Sequence, residues 1–291
     1  MSFSICIVTH NSSRELARLL NSIDEHLPAR PQIICADSGS TDDSVSTARE
    51  RGAEVIVMDG NPGFGAANNA ALELVTEPVT VLLNPDCCLI DSGIARLATS
   101  AAARRALIAP RLLNEDGSTQ DSAHPLPGGI DGYLAALTVP RLLPRTLRDR
   151  LQPFRSERQL EVGWAIAACI AAQTEVLSQL GPFSAADFLF AEDLDLCLRA
   201  RSLAVPTIFD PSVSLTHSGG HATRSMSDTD RLELQATRRR EVIDHQLGAG
   251  ALAADDRTQA LTFKARALVG RDKAPNEKRL AALRAAQNRS S

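Results

Sequence analysis

The stretch Val79-Thr-Val-Leu-Leu-Asn-Pro-Asp86 decides the fold of this chain. Its β-branched and aliphatic residues stop at Asn84, Pro85 and Asp86, and a short apolar run that ends at a breaker is typical of a buried strand in a parallel sheet. Pro85 has no N–H to donate to a neighbouring strand, so the chain leaves the sheet there. Asp86 is therefore presented at the carboxyl end of a strand, where open α/β sheets bind ligands. Its carboxylate could hold a divalent metal and, through it, a diphosphate, or it could serve only the turn.

Strand and helix patterns alternate on both sides of this stretch. Further strands are predicted at residues 3–8, 33–36, 54–58 and 107–110, and helices at residues 12–23, 41–52, 66–74 and 94–104. Short connections between successive strands and helices favour a parallel sheet with helices on both faces. The predicted fold class is therefore α/β.

The pattern weakens after residue 110. Residues 114–160 mix proline, glycine and arginine with short leucine pairs, which indicates an excursion that could fold over a site. Regularity returns with predicted helices at residues 175–180 and 191–201, a short strand at 206–209 and a polar loop at 214–220. From residue 227 the chain is rich in alanine, arginine and leucine, and we expect only helices there.

The composition argues against several classes of protein. The net charge is −4 and aromatic residues make up 3% of the 291 residues, so neither a basic field nor stacking side chains favour nucleic acid. Six cysteines without a CxxC pair argue against a zinc site and favour a reducing, cytoplasmic compartment. The N-terminus lacks the pattern of a signal peptide, and no apolar run is long enough to span a bilayer. We therefore expect any membrane contact to be peripheral, at the cytoplasmic face.

Small polar residues follow three of the predicted strands. Thr9, His10 and Asn11 follow the first strand, Asp37 the second and Asn84 the fourth. Because the carboxyl ends of parallel strands meet at one edge, these groups could together bind the base and ribose of a nucleotide, although each alone could serve a turn or cap. The first strand–helix turn carries neither GxGxxG nor a Walker lysine, which weakens the oxidoreductase and NTPase interpretations.

A glycine-rich segment, Gly63-Phe-Gly-Ala-Ala-Asn-Asn69, precedes the strand quoted first. Glycines let the backbone approach a ligand, and this segment opens a helix whose N-terminus could face phosphate. A plain flexible turn is the alternative. The paired asparagines favour a binding site, so we expect Gly63, Phe64, Gly65 and Asn68 to contact the same nucleotide.

Two carboxylates, Glu192 and Asp193, open a predicted helix after the apolar residues 188–190. An apolar approach desolvates a carboxylate and raises its pKa, as a general base requires, although acidic residues at a helix N-terminus can also simply complement its dipole. His217 follows a strand at the same sheet edge. It could share a metal ion with Asp86, or it could be an ordinary loop histidine.

Taken in order, these segments resemble family-2 glycosyltransferases, which have the GT-A fold, a Rossmann-like mixed but mainly parallel sheet flanked by helices. The resemblance is strongest to the bacterial rhamnosyltransferase-like branch that builds cell-wall linkers and O-antigens, and it covers about residues 3–225. The segments that carry it are Ile7-Val-Thr-His-Asn-Ser12, Ala36-Asp-Ser-Gly-Ser-Thr-Asp42, Asn61–Asn69, Asn84-Pro-Asp86, Gly163-Trp164 and Ala191–Arg199.

The resemblance implies an inverting sugar transfer from a nucleotide diphosphate donor to a glycan or lipid-linked acceptor. It implies that Asp37 binds the nucleotide base, that Asp86 binds manganese or magnesium at the donor diphosphate, and that Asp193 is the catalytic base. It also places Glu192 beside that base and Trp164 on the acceptor side. dTDP-rhamnose is the favoured donor, with UDP-hexose and UDP-galactofuranose as others.

Two positions depart from the family pattern. The usual metal motif is Asp-x-Asp, and here its first position is Asn84, which leaves one carboxylate for the metal. The segment after the tryptophan usually has a Ser-Gly pair and a later basic residue, whereas residues 165–173 are mostly small and apolar. Acceptor recognition is therefore expected to differ from the family norm.

The resemblance implies a catalytic domain over residues 1–226, with a nucleotide-binding half to about residue 110, an acceptor-binding half from residue 111, and a helical extension at 227–291. The extension could cap the catalytic domain, form a homodimer interface or touch a membrane through arginines 238–240. Two rival functions stay open: a sugar-phosphate nucleotidyltransferase and a non-catalytic nucleotide-sugar-binding protein. The lack of a glycine-rich basic N-terminal loop weakens the first, and the single carboxylate at 84–86 keeps the second open.

Overall fold

A mixed sheet of nine strands lies at the centre of the described part of the molecule. The structure, a computed structural model, describes residues 2–138, 142–181, 183, 189–219, 226–268 and 273–289. The strands of this sheet are β1 Ser4–Thr9, β2 Gln32–Asp37, β3 Glu54–Val57, β4 Val79–Leu83, β5 Cys87–Leu89, β6 Leu107–Leu113, β8 Leu160–Val162, β10 Cys169–Gln173 and β11 Thr207–His217, and a separate pair is formed by β7 Ala123–His124 and β9 Trp164–Ala165. The helices are α1 Ser13–His26, α2 Ser44–Glu50, α3 Phe64–Glu73, α4 Gly93–Ala102, α5 Ile130–Leu137, α6 Arg145–Leu151, α7 Thr174–Leu180, α8 Glu192–Ser202, α9 Asp228–Leu247, α10 Ala249–Leu268 and α11 Lys273–Arg289.

The four strands predicted before residue 86 lie in parallel, in the order β3-β2-β1-β4. Thr9 pairs with Asp37 in register, so the chain leaves β1 and β2 at the same edge of the sheet. Every residue of β4 is buried. The predicted α/β class with a mainly parallel first half is therefore confirmed.

Both faces of the sheet are covered by helices. Along β1, Ile5 and Ile7 belong to one apolar core and Cys6 belongs to the other, as the alternation of side chains in a strand requires. The first core also contains buried residues of α1 and α4, and the second contains buried residues of α3, α7 and α8. Burial of apolar side chains on both faces thus fixes which face of the sheet each strand residue occupies.

The second half of the sheet makes it mixed. β10 runs antiparallel between β4 and β6, and β11 runs parallel to β6 and antiparallel to β5. The polar loop predicted at residues 214–220 is wrong for residues 214–217. These residues belong to β11, which continues to His217 across an irregularity in register between Asp210 and Ser214. His217 pairs with Cys87, which places it beside Asp86. Residues 220–225 lie outside the described part.

The excursion expected at residues 114–160 contains β7, α5 and α6, and it packs against α10 of the C-terminal region. β7 pairs antiparallel with β9, so His124 lies opposite Trp164. A Cβ at Gly163 would lie 2.2 Å from the backbone nitrogen of Leu126, and only glycine allows the two short strands to approach this closely.

The C-terminal region is helical in its described residues, as predicted. Val242 and Ile243 of α9 share a buried cluster with Leu194 and Leu198 of α8. Arginines 238–240 form ion pairs with Glu241, Asp255 and Asp256, respectively, and Arg240 is buried. Their predicted contact with a membrane stays a prediction. No helix in the described ranges has the length and apolarity needed to cross a membrane.

Candidate active site

A cleft of about 530 Å³ opens where the parallel strands end. Residues at the ends of β1, β2, β4 and β11 line it, together with residues of α8 and α9. Its position at the carboxyl edge of the sheet and its size are those of a typical small-molecule site.

The loop before α3 is fastened to the end of β2 by a chain of hydrogen bonds. His10 Nδ1 donates to the carbonyl of Ser38 over 2.7 Å, and Ser38 Oγ donates to Asn61 Oδ1 over 2.9 Å. Asn61 Oδ1 also accepts from the N–H of Gly63 over 3.2 Å. Gly63 has a φ of 94°, so glycine is needed to open α3 toward the cleft, which Gly63 and Phe64 line.

Asp37 lies behind the cleft lining. Its carboxylate accepts hydrogen bonds from Thr9 Oγ1 over 2.9 Å, from Ser40 Oγ over 2.5 Å and from the N–H of Ser40 over 2.9 Å. Asp37 and Thr9 are both 1% exposed, and Asn11 Oδ1 accepts from Thr41. These three residues hold the ends of β1 and β2 together, and their predicted contact with the nucleotide stays a prediction.

Asp86 and His217 face each other at the cleft. His217 Nε2 lies 3.3 Å from Asp86 Oδ1, and both residues are buried. The N–H of Ser218 donates to the carbonyl of Asp86, so backbone and side chains bind the two strand ends together. The two side chains thus meet as expected from their positions at one edge of the sheet.

A directional relay sets the tautomer of His217. Ser118 donates to the Asp116 carboxylate, which lowers the pKa of Asp116, and Ser118 accepts in turn from Asn114 Nδ2. Asn114 Oδ1 then accepts from Gln120 Nε2 over 3.2 Å, so Gln120 Oε1 is turned to His217 Nδ1, 2.7 Å away. Because a carboxylate oxygen can only accept, the relay runs one way and requires the proton of a neutral His217 on Nδ1.

The lone pair of His217 Nε2 is therefore directed toward Asp86 in the neutral imidazole. Two acceptor atoms in this arrangement are stabilised by a cation, either a proton or a metal ion. An imidazole nitrogen whose other N–H is held by an oxygen, together with a carboxylate, is a donor set for a divalent metal. The residues present thus fit the metal that the family resemblance implies.

Cys87 is the third member of this cluster, with its sulfur within 4.8 Å of the ligand atoms of Asp86 and His217. Burial raises its pKa well above the ordinary value, and its Sγ–H donates to the carbonyl of Ala168. A metal binds the thiolate rather than the thiol. The hard oxygen and nitrogen donors Asp86 and His217 are therefore the better ligands for manganese or magnesium.

Asp193 lies in the first turn of α8 and lines the same cleft. Burial raises its pKa, against the hydrogen bonds from the N–H groups of Leu194 and Ala167 and the charge of Arg239, which lower it. The two residues before α8, Phe190 and Ala191, have φ values of 77° and 67°. Non-glycine residues rarely adopt this region, and such strain is concentrated at functional sites. Phe188, part of the expected apolar approach, lies outside the described residues, while Leu189 and Phe190 line the cleft.

The other carboxylates of α8 have different surroundings. Glu192 is buried at the cleft, beside Asp193. Asp195 accepts from Arg199 Nε and from Gln246 Nε2, each over 2.7 Å, and so ties α8 to α9. Asp195 therefore has a structural role, and Asp193 and Glu192 are the carboxylates of this helix that reach the cleft.

Trp164 also lines the cleft. The ring of His124 stacks on Trp164 with 4.1 Å between centroids, and the guanidinium of Arg239 lies 5.7 Å from its centroid. Burial, and then the charge of Arg239, lower the pKa of His124 to about 3. His124 is therefore neutral and supports Trp164 as an aromatic ring.

Three residues of α9 complete the wall, and the sequence interpretation missed them. Arg231, Gln235 and Arg239 are spaced by four residues, so they lie on one face of the helix, and all three line the cleft. The spacing is visible in the sequence, but nothing local indicates that this face meets the sheet.

The model of glycosyl transferase family 2 matches residues 4–172, more than half of the chain. The chain belongs to glycosyl transferase family 2.

Relatives and solved structures agree with this assignment. The chain is 27% identical over 240 residues to an N-acetylglucosaminyl-diphospho-decaprenol L-rhamnosyltransferase of Mycobacterium tuberculosis, with 75% of this chain and 76% of the relative covered. It is 26% identical over 208 residues to a low-salt glycan biosynthesis hexosyltransferase of Haloferax volcanii, covering 68% of this chain and 61% of the relative. A mannosyltransferase from Pyrobaculum calidifontis, solved with GDP-Man and Mn²⁺, has a TM-score of 0.62 at 16% identity, over 98% of this chain and 85% of that one. This last likeness shows the GT-A fold.

Most of the site residues predicted for this glycosyltransferase line the cleft. Those that do are His10, Gly63, Phe64, Asn84, Asp86, Trp164, Glu192, Asp193 and His217. Those outside the lining are Thr9, Asn11, Asp37, Gly65 and Asn68. Asn68 is buried and donates to the carbonyl of Phe64, so its contact is with the helix that carries it. The lining residues that the sequence interpretation missed include Asn61, Arg231, Gln235 and Arg239.

Proposed function

We propose that this protein is an inverting glycosyltransferase that moves a sugar, with rhamnose favoured, from a nucleotide diphosphate to a glycan or lipid-linked acceptor. One observation carries the proposal: the Asp86–His217 pair and the Asp193 carboxylate line the same cleft at the carboxyl edge of the sheet. A diphosphate site and a general base in one cleft are what a sugar transfer needs.

The donor is assigned to the strand-end side of the cleft. Asp86 and His217 would hold manganese or magnesium, and the N-terminus of α3, opened by Gly63, offers backbone N–H groups to phosphate. When bound, the metal neutralises charge on the donor diphosphate. Asp37 and the polar residues near it would fix the base from behind the lining. dTDP-rhamnose is the favoured donor, because a relative is named as a rhamnosyltransferase, and UDP-sugars are the alternatives.

The transfer is assigned to Asp193. The acceptor hydroxyl oxygen forms a bond to the anomeric carbon while the bond from that carbon to the diphosphate oxygen breaks, and the diphosphate leaves with the electron pair. Asp193 takes the hydroxyl proton. Its raised pKa makes it a stronger base than an exposed aspartate, and Glu192 beside it would orient the site.

The cellular setting of the reaction is proposed from the cysteines and from the chemistry of the acceptor. All six cysteines are free, in keeping with a reducing cytoplasm. Contact with a membrane, if the acceptor is lipid-linked, would be made through that acceptor at the cytoplasmic face. A homodimer through the C-terminal helices and the domain boundary at residue 226 stay predictions.

The test is a thermal-shift screen of nucleotide diphosphate sugars with and without manganese, followed by a donor hydrolysis assay. At a hundred times its Kd, a ligand stabilises the folded state by about 2.7 kcal/mol, which is readily measured as a rise in Tm. We expect a rise with one class of nucleotide, dependent on manganese, and slow release of the nucleoside diphosphate. A donor that binds but is never hydrolysed or transferred would support the non-catalytic rival instead.

A further inference from the structure

The C-terminal helix α9 presents a cation at the acceptor side of the cleft. Arg239 donates through Nε and Nη2 to Asp255 of α10, over 3.0 and 2.7 Å, in a bidentate pair. The Asp255 side chain is 5% exposed and also accepts from Gln259 Nε2 over 2.6 Å. The guanidinium is thereby held in one orientation, at low entropic cost for any ligand that it binds.

The guanidinium of Arg239 lies in the partition between two spaces. Arg239 and Trp164 line both the cleft and a second cavity of about 660 Å³ between α5 and α10. Its charge lowers the pKa of Asp193 on the cleft side and of His124 on the other. An acceptor sugar whose hydroxyl reaches Asp193 would therefore have Arg239 within its own neighbourhood, with room beyond for a substituent.

The rest of the same helix face is polar and includes a second cation. Arg231 and Gln235 line the cleft two turns and one turn before Arg239, and Arg231 pairs with Asp228 at the surface over 3.0 Å. The two hydrogen bonds of the Arg239 guanidinium among the described residues both use its Nε–Nη2 edge, which leaves Nη1 for a ligand. Planar guanidinium donors match phosphate oxygens better than neutral hydroxyls.

We propose that Arg239, with Arg231 and Gln235, binds a phosphate or diphosphate group carried by the acceptor sugar. This inference rests on the proposed function, and it places acceptor recognition in a helix beyond the family-matched residues 4–172. It makes the C-terminal helices part of the active site rather than a separate extension.

The test compares two probes that share one sugar, N-acetylglucosamine 1-phosphate and methyl N-acetylglucosaminide. The sugar is taken from the name of the relative. Each probe is titrated by calorimetry into the full chain saturated with manganese and the nucleoside diphosphate that the donor screen selects. We expect the wild type to bind the phosphate probe at least about tenfold more tightly, as charge-assisted hydrogen bonds are worth that much. Equal affinities for the two probes would overturn the proposal.

Variants assign the preference to Arg239. Arg239→Gln should abolish the preference for the phosphate probe, while Arg238→Gln, on the neighbouring residue that pairs with Glu241, should keep it. Because Arg239→Gln leaves the buried Asp255 carboxylate without its partner, the double variant Arg239→Gln/Asp255→Asn is measured as well. A preference that persists in the folded double variant would also overturn the proposal.

Two further measurements, the pH–rate profile and the nucleoside diphosphate affinity, distinguish a failure of this inference from a failure of the proposed function. The charge of Arg239 lowers the pKa of Asp193, so removing it should shift the acid limb of the pH–rate profile to higher pH. A purely structural role of Arg239 would not shift this limb. Nucleoside diphosphate affinity should stay unchanged in every variant. If the wild type binds no nucleotide, the proposed function fails; if it binds nucleotide but treats both probes alike, only the acceptor inference fails.

Discussion

Nδ1 of His217 lies 2.7 Å from Oε1 of Gln120, and this contact decides which nitrogen of His217 can bind a metal. Residues that hold the other ring nitrogen of a metal-binding histidine commonly change metal affinity by about 10- to 100-fold. We therefore expect Gln120→Leu to weaken Mn²⁺ binding by that factor in the presence of the nucleoside diphosphate, measured by calorimetry. Gln120→Glu keeps an accepting oxygen and should keep the affinity. Cys87→Ala should also leave it unchanged, and a large loss there would move the metal onto the sulfur.

Asp193→Asn should lower the transfer rate by about a hundred- to ten-thousand-fold, because it removes the basic lone pair and keeps the shape. Donor affinity should survive, since the donor is assigned to the Asp86–His217 pair and the N-terminus of α3 rather than to Asp193. Glu192→Gln should lower the rate less, as expected of a group that orients the site. Single-turnover transfer and nucleotide titration measure the two effects separately. Near wild-type transfer by Asp193→Asn would shift the base to Glu192, because Asp195 is bound to Arg199 and Gln246.

The pH dependence of the reaction should follow from Asp193. Burial raises the pKa of this carboxyl above its ordinary value of 3.8, and the base works only when deprotonated. The transfer rate should therefore fall as the pH falls through that raised pKa. The acid limb of kcat/KM, measured under conditions where the protein stays folded, should lie above pH 3.8. An acid limb at an unchanged position in the residual activity of Asp193→Asn would assign it to another group.

Asp37 should affect folding as well as nucleotide binding. Its carboxylate accepts three hydrogen bonds in a buried position, so Asp37→Ala leaves donors on Thr9 and Ser40 unpaired. We expect the free energy of unfolding to fall by about 1–3 kcal/mol and nucleotide affinity to fall with it. Asp210→Ala is the matched control, because the buried Asp210 carboxylate also accepts three hydrogen bonds, from Gln159 and Ser212, and lies outside the cleft lining, so this change should lower stability and spare the affinity. Denaturant unfolding and calorimetry would show whether the two effects separate.

The parallel half of the fold could be predicted because its signals are local. β4 is a run of buried residues ended by Pro85, and such a run needs no knowledge of its partners to be recognised. The strand predicted at residues 206–209 is shorter than β11, because Pro211 and two serines interrupt the apolar residues of β11. Its partners β6 and β5, and the irregularity between Asp210 and Ser214, keep it a strand to His217. Those partners lie about a hundred residues earlier in the chain.

The candidate site could also be predicted only where its residues follow local strand signals. Asp86 and His217 could be paired from sequence because both follow strands at one edge of the sheet. Gln120 and Arg239 could not, because the excursion and the C-terminal helices have no periodic signal that tells which surface they meet. Arginines 238–240 look alike in sequence, yet each successive residue turns by about 100° around a helix, so their partners differ.

The wall that α9 adds to the cleft has a consequence for how the enzyme is made. Cleft residues run from Val8 to Arg239, and Arg239 is held by Asp255 of the next helix. A nascent chain on the ribosome therefore completes the strand ends, up to His217, before Arg231, Gln235 and Arg239 can close the wall. The cleft takes its described form only after both α9 and α10 have been translated.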